Sequence, residues 1–136
     1  MSRNKSRPPT QRQLRVGETL RHALAEIMER ETFKDPDLAG LSITVTEVDP
    51  SPDLKQALVF VMRLGGGDMK PVLAGLERVK SFLRREVSKR VKLRYVPDLK
   101  FMADTTFDEA QHIDELMHRP EVARDLAGGR DESDGT

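Results

Sequence analysis

The stretch that decides the fold is LSITVTEVDPSPDLKQALVFVM, residues 41–62. Its first six residues alternate strictly between apolar and polar side chains, which is typical of a strand with one buried face. Residues 49–53 predict a turn, because proline fixes φ and aspartate side chains bond the local backbone. Residues 54–62 are apolar on both alternating faces, which indicates a second, better covered strand. The stretch therefore predicts a β-hairpin.

A helix is predicted before the hairpin, over residues 13–31, and Pro36 and Gly40 break the connecting loop 34–40. The apolar side chains of this helix recur at the spacing of a single helix face. They are Val16, Leu20, Ala23, Leu24 and Ile27.

A longer helix is predicted after the hairpin, from an N-cap at Asp68 to about residue 90, with Pro71 tolerated in its first turn. Phe82 lies off its apolar stripe, and Arg90 falls on the stripe if the helix is straight. We therefore expect a kink near residues 80–82 and an end near Lys89.

The C-terminal third of the chain predicts one more strand and one more helix. Residues 95–104 alternate Leu99 and Phe101 with Lys100 and Met102. Thr106-x-x-Glu109 has the pattern of a capping box and opens a helix over residues 107–118.

The order of elements, α–β–β–α–β–α, predicts an α+β fold with a three-stranded sheet and helices packed on one face. A length of 136 residues allows one domain, which we place at residues 13–118. Residues 1–12 are polar and basic and predict a disordered arm, while residues 119–136 lose all periodicity and predict a disordered acidic tail.

Composition limits the classes of function. The chain has no cysteine, which excludes disulfides and thiolate chemistry. No apolar run approaches the roughly 18 residues that a membrane span needs, so we expect a cytoplasmic protein without a membrane partner. The 23 basic and 23 acidic residues cancel overall, but they are unevenly distributed along the chain.

Basic residues are aligned on the long helix. Its core side chains fall within an arc of about 80°, and a basic arc of about 60° lies nearly opposite. From Leu76 to Lys100 there are nine basic and three acidic residues, a net charge of +6. Such a face suits a phosphate backbone, because each neutralised phosphate releases counterions. The alternative to phosphate binding is that this basic face is only solvated and that acidic residues elsewhere in the chain balance its charge. The basic arm favours RNA or DNA binding.

The predicted RNA-binding residues lie on the long helix, just after it, and in the arm. Aromatic residues are only 4% of the chain, so recognition should depend on charge and shape rather than on stacking. A kink would also free amide groups that can bind a phosphate. The candidates are Arg78, Lys80, Ser81, Arg84, Arg85, Lys89, Lys92 and Arg94, together with Arg3, Lys5, Arg7 and Arg12.

Motifs for catalysis or cofactor binding are weak. The segment 64–68, LGGGD, lacks the Gly-Lys-Ser/Thr ending of a phosphate loop. His22, His112 and His118 do not have the i, i+4 spacing of a helical metal site. Ser81 and Ser88 have no evident activating partner. We therefore expect no catalytic residue, no metal, no cofactor and no small-molecule substrate.

Several segments, in order and with matching spacing, resemble the ribosome-binding factor A family across residues 12–118. The strongest lies within residues 82–101, from FLRRE to LRYVPDLKF. The others are Arg15-Val-Gly-Glu18, Ile43-Thr-Val-Thr-Glu-Val48, Ser51-Pro-Asp-Leu54, Ala57-Leu-Val-Phe-Val61, Asp104 and Ile113-Asp-Glu-Leu116.

This resemblance implies a type II KH-like domain with flexible termini. It implies a bacterial factor that binds the free 30S small ribosomal subunit and assists late 16S rRNA processing and maturation, without catalysis and with release before translation. We also expect a monomer. The family's Ala-x-Gly kink corresponds here to Val79-Lys80-Ser81, which keeps neither the alanine nor the glycine.

Three other functions remain open at this point. A general KH-type RNA-binding regulator would use the same basic arc. A protein-interaction module would use the acidic tail and the strand 54–62. A small hydrolase would need a pocket with perturbed carboxylates.

Overall fold

The structure is a computed structural model, and it describes residues 8–106. The chain divides into two units, Met1–Asp104 and Thr105–Thr136, and only Thr105 and Thr106 of the second are described. Six elements follow one another in the first unit. They are α1 (Gln11–Arg30), β1 (Ile43–Pro50), β2 (Gln56–Arg63), α2 (Met69–Arg78), α3 (Lys80–Arg90) and β3 (Asp98–Ala103).

Helix α1 begins two residues earlier than predicted because Thr10 caps it. The Thr10 hydroxyl accepts the Gln13 backbone N–H, and the Gln13 side chain accepts the Thr10 N–H. This capping box satisfies two amides that would otherwise lack a partner. Gln11 and Arg12 are therefore helical rather than part of a disordered arm. The predicted apolar stripe is confirmed, since Leu20, Leu24 and their neighbours are buried.

The predicted hairpin is confirmed, although both strands begin and end later in the sequence than predicted. β1 pairs antiparallel with β2 from Ile43↔Arg63 to Pro50↔Ala57. Asp49 and Pro50 belong to β1 rather than to the turn, and Leu54 lies in the turn with a positive φ of 61°. The register shifts between Val45 and Glu47, so the strict alternation expected through residue 46 ends at a bulge.

The sheet has the order β1-β2-β3, and β3 runs parallel to β2. The helices pack on one face of it, as expected, because apolar residues of all three strands and all three helices share one core. Leu99 and Phe101 of β3 are buried and Lys100 is exposed, which confirms the predicted alternation. β3 itself begins at Asp98, so Tyr95 lies in the loop before it.

The predicted long helix is two helices that meet at Val79. Val79 has φ −99° and ψ 12°, which ends α2 one residue before the expected kink. Its N–H still reaches Gly75 O at 3.1 Å, and its carbonyl accepts Leu83 N–H at 3.0 Å. The break brings Phe82 against Phe33 in an edge-to-face contact with centroids 6.2 Å apart. The phase slip at Phe82 is thereby explained.

The predicted end at about residue 90 is confirmed, because α3 ends at Arg90, one residue beyond Lys89. Arg90 is accommodated by ion pairs, with Glu86 at 2.9 Å and Glu26 of α1 at 3.4 Å. The predicted helix 107–118, the acidic tail and residues 1–7 of the arm lie outside the described residues.

Candidate nucleic-acid interface

The outward side of α3 carries an exposed basic face, which we define as Ser81, Arg85, Lys89 and Lys92. Leu83 and Val87, on the inward side of α3, are fully buried and fix the orientation of the helix. Ser81, Arg85 and Lys89 follow one another at intervals of four residues, which aligns them on one helix surface. Lys92, just after the helix, is also exposed.

Arg85 and Lys92 form no ion pair with any residue between 8 and 106, and neither does Arg94. Their charge is therefore not balanced locally. Three cations held on or beside one rigid helix make a local positive field that attracts a polyanion.

Lys89 pairs with Glu86, which also pairs with Arg90. Its ammonium lies 3.1 Å from Glu86, whose side chain is mostly buried. The pKa of Glu86 is lowered mainly by its hydrogen bond with Arg90, and secondarily by the one with Lys89. Because Arg90 already neutralises Glu86, the exposed ammonium of Lys89 adds positive charge to the basic face.

Arg78 is used inside the domain. Its Nε and Nη2 donate to the two oxygens of Asp35 at 2.7 and 2.8 Å, and it also pairs with Asp37. These hydrogen bonds, with Asp35 the stronger contributor, raise the pKa of Arg78 above its ordinary value. Arg78 thus fastens the loop after α1 to the end of α2.

Lys80 and Arg84 also have partners within the domain. Lys80 lies 2.8 Å from Glu77 and 3.5 Å from Asp98, and its side chain is mostly covered. Arg84 donates to the backbone carbonyls of Pro97 at 3.1 Å and Val96 at 2.6 Å. The two side chains therefore tie α3 to the start of β3.

Of the four arm candidates, Arg12 is the one among the described residues, and it lies at the other end of α1 from the contact with α3. Arg3, Lys5 and Arg7 lie outside the described residues. Arg12 is exposed in the first turn of α1, whereas Arg90 of α3 pairs with Glu26 in the second half of that helix. Arg12 and Glu26 are separated by about 21 Å of helix at 1.5 Å per residue.

The start of α3 lies at one end of the basic face. No side chain caps this helix at Val79, and its first turn contains no acidic residue. The first amide groups of a helix point outward along its axis and carry partial positive charge. Ser81 lies in this turn and is exposed. A phosphate placed beside Ser81 would lie one helical turn from Arg85.

Two side-chain environments were not predicted from the sequence, the exposure of Tyr95 and the burial of Gln13. Tyr95 is 56% exposed and follows Arg94, although its position had predicted a strand. Pro97, shortly after Tyr95, was the one signal of a loop there. Gln13 is buried and also donates to Pro50 O at 3.0 Å, which joins α1 to the end of β1. Nothing in the local pattern around Gln13 indicated this contact.

Residues 8–106 contain no group of three His, Asp or Glu side chains that could hold a metal ion. Nor is any helix in that part of the chain long and apolar enough to cross a membrane.

The chain is similar to proteins of one described family over most of its length. The model of the family described as ribosome-binding factor A matches residues 12–117. A ribosome-binding factor A from Paramagnetospirillum magneticum is 62% identical over 126 residues, which cover 93% of this chain and 88% of the relative.

Solved structures agree with the fold. The crystal structure of ribosome-binding factor A from Thermus thermophilus has a TM-score of 0.57 and 25% identity, covering 67% of this chain and 93% of that one. A Thermus thermophilus homology model fitted into the cryo-EM map of a 30S complex of that factor has a TM-score of 0.52 and 26% identity, covering 65% and 90%. These matches confirm the expected α+β, KH-like fold class.

Proposed function

The chain belongs to the ribosome-binding factor A family, and on that premise we propose that it binds the free 30S small ribosomal subunit and assists late 16S rRNA processing and maturation. It acts by docking on rRNA, not by catalysis. A relative of this fold has been fitted into the map of a 30S complex, which supports the choice of partner.

The observation that carries the proposal is the exposed basic face on α3. Arg85 and Lys92 have no carboxylate partner among residues 8–106, and Lys89 shares its partner with Arg90. Unbalanced cations at helical spacing can each neutralise a phosphate, and the counterions released supply affinity that falls steeply with salt.

The rigidity of α3 supports docking by shape as well as by charge. Its inward side is fixed by Leu83 and Val87, its start by the Phe33–Phe82 contact, and its end by Arg90 on Glu26. A helix held at three points keeps its cations in one arrangement, so binding costs little ordering of the protein. Such a surface suits a folded rRNA target more than a flexible single strand.

We propose further that the protein works as a monomer in the cytoplasm, without a cofactor or a small-molecule substrate. Its domain organisation is a KH-like domain that begins at α1, preceded by a basic arm and followed by an acidic tail. Arg3, Lys5, Arg7 and Arg12 then provide a second, auxiliary set of phosphate contacts.

A binding titration separates this function from that of a general KH-type RNA-binding regulator. The protein is titrated with purified free 30S subunits and, in parallel, with single-stranded RNA of about ten nucleotides at the same salt concentration. We expect the subunits to bind at least tenfold more tightly. Equal affinity for the short RNA would favour the regulator.

A further inference from the structure

The loop between α3 and β3 presents three exposed side chains between two fixed ends. At its start, Val91 N–H donates to Val87 O at 3.0 Å and closes α3. At its end, Val96 and Pro97 are buried, and Asp98 N–H donates to Lys55 O at 2.9 Å. The exposed residues between these ends are Lys92, Arg94 and Tyr95.

Arg84 braces this loop directly behind Tyr95. Its guanidinium lies 2.6 Å from the carbonyl of Val96 and 3.1 Å from that of Pro97. Two charge-assisted hydrogen bonds from one planar group fix both the position and the tilt of these peptide units. The backbone that carries Tyr95 is therefore held in place although its side chain is exposed.

Tyr95 is the exposed aromatic residue among residues 8–106, since every phenylalanine in that part of the chain is buried or half-buried. Phe33 and Phe82 pack on each other. Arg94 adjoins Tyr95 and forms no ion pair with the described residues. An exposed ring beside unpaired cations is the combination that binds an unstacked base and its phosphates.

We propose that the loop Lys92–Tyr95 binds one unpaired nucleotide of the rRNA. Tyr95 stacks on the base, Arg94 and Lys92 contact the flanking phosphates, and Arg84 is the positioning residue that holds the loop. This inference rests on the proposed function, because it requires a docked rRNA, and it adds a contact to a base to the phosphate contacts of the basic face.

The first experiment measures the affinity of the full chain for free 30S subunits with three substitutions of Tyr95. Because a base stacks on any aromatic ring, Tyr95→Phe should bind like the wild type. Tyr95→Ala and Tyr95→Leu should both bind about tenfold more weakly, in line with the usual worth of one stacked base. Urea unfolding midpoints identify any variant that is weakened by misfolding.

Base-specific chemical probing of the 16S rRNA gives the second readout. One unpaired base should be protected by the wild type and by Tyr95→Phe but not by Tyr95→Ala, while the rest of the footprint remains. Arg84→Met should lose the same protection, and combining it with Tyr95→Ala should weaken binding little further. Arg84→Lys should restore part of it.

The outcomes are distinguishable. If the wild type fails to bind free 30S subunits, the proposed function is wrong. If the wild type binds and folded Tyr95→Ala binds equally well with the same footprint, only this inference is overturned. If Tyr95→Leu binds as well as Tyr95→Phe, the ring contacts an apolar surface such as a ribosomal protein, and the nucleotide is rejected.

Discussion

Arg78 and Asp35, 43 positions apart in sequence, form a two-pronged ion pair in which Nε and Nη2 donate to separate carboxylate oxygens at 2.7 and 2.8 Å. The pair joins the last turn of α2 to the loop that follows α1. Helix geometry had placed Arg78 among the predicted RNA-binding residues, but its charge is paired with Asp35 within the domain. The basic face depends instead on Arg85, Lys89 and Lys92.

Replacement of Asp35 by asparagine should lower the free energy of unfolding at neutral pH. The hydrogen bond from Arg78 is the main cause that holds the pKa of Asp35 below its ordinary range. A lowered folded-state pKa stabilises the fold above the unfolded pKa of about 3.9, and this contribution is lost as the pH falls through the folded value. Urea denaturation of both proteins at pH 6 and pH 3 measures the effect.

The gap between wild type and Asp35→Asn should be narrower at pH 3 than at pH 6. Glu29→Gln is the control, because Glu29 forms no ion pair among residues 8–106. A gap of equal size at both pH values would mean that the carboxylate charge is not what stabilises this loop.

Gly17→Ala should destabilise the fold, against the normal preference of helices. An added Cβ would lie 2.5 Å from Val48 O and 3.1 Å from a ring carbon of Pro50, because α1 crosses β1 closely there. Overpacking of this kind typically costs about 1–3 kcal/mol, which outweighs the roughly 1 kcal/mol that alanine contributes in an open helix. Thr19→Ala, at an exposed position of the same helix, should leave the urea midpoint unchanged or raise it slightly, because alanine has the higher helix propensity. A more stable Gly17→Ala would contradict the close crossing.

Charge reversal at Arg85 and Lys89 should weaken binding to free 30S subunits at least tenfold without unfolding the domain, since both side chains are exposed. It should also make the dependence of log affinity on log salt shallower by about 1.5, because two phosphate contacts are lost. The matched control is Lys70→Glu with Lys100→Glu, two exposed lysines on α2 and β3. Equal losses in both double variants would indicate a general charge effect, and retained affinity of the first would reject the basic face.

Ser81→Glu should separate stability from binding. A carboxylate in the first turn of α3 favours the helix dipole, by about 0.3–1 kcal/mol, so unfolding should become no easier. The same charge should repel a phosphate at the start of the helix and weaken 30S binding severalfold. Ser81→Gln, of equal size and neutral, should bind nearly as well as the wild type. Equal binding by the Glu and Gln variants would remove the start of α3 from the interface.

Much of the fold could be predicted because it depends on local periodicity. The stripe of α1, the pairing of β1 with β2 and the alternation of β3 all follow from the spacing of apolar residues. Element ends were less predictable, since the start of α1 depends on Thr10 and on the hydrogen bond from Gln13 to Pro50, 37 positions away. A periodic pattern carries no information about such long-range partners.

For the binding surface, the sequence predicted only which side of the helix is positively charged. Helix geometry placed Arg85 and Lys89 correctly on an exposed side. It could not show that Asp35 neutralises Arg78 or that Arg84 donates to Val96 and Pro97, because these partners come from other elements. The exposure of Tyr95 was not predictable either, because it depends on a loop that Arg84, from another element, holds in place.

The most direct test of the central claim is the sedimentation of the native protein through a sucrose gradient with free 30S subunits, 50S subunits and 70S ribosomes at several salt concentrations. We predict that it travels with the free 30S fraction and is absent from the 70S fraction, with co-sedimentation falling steeply as salt rises. An even distribution over all ribosomal fractions, or association with 30S subunits that salt does not weaken, would contradict the account.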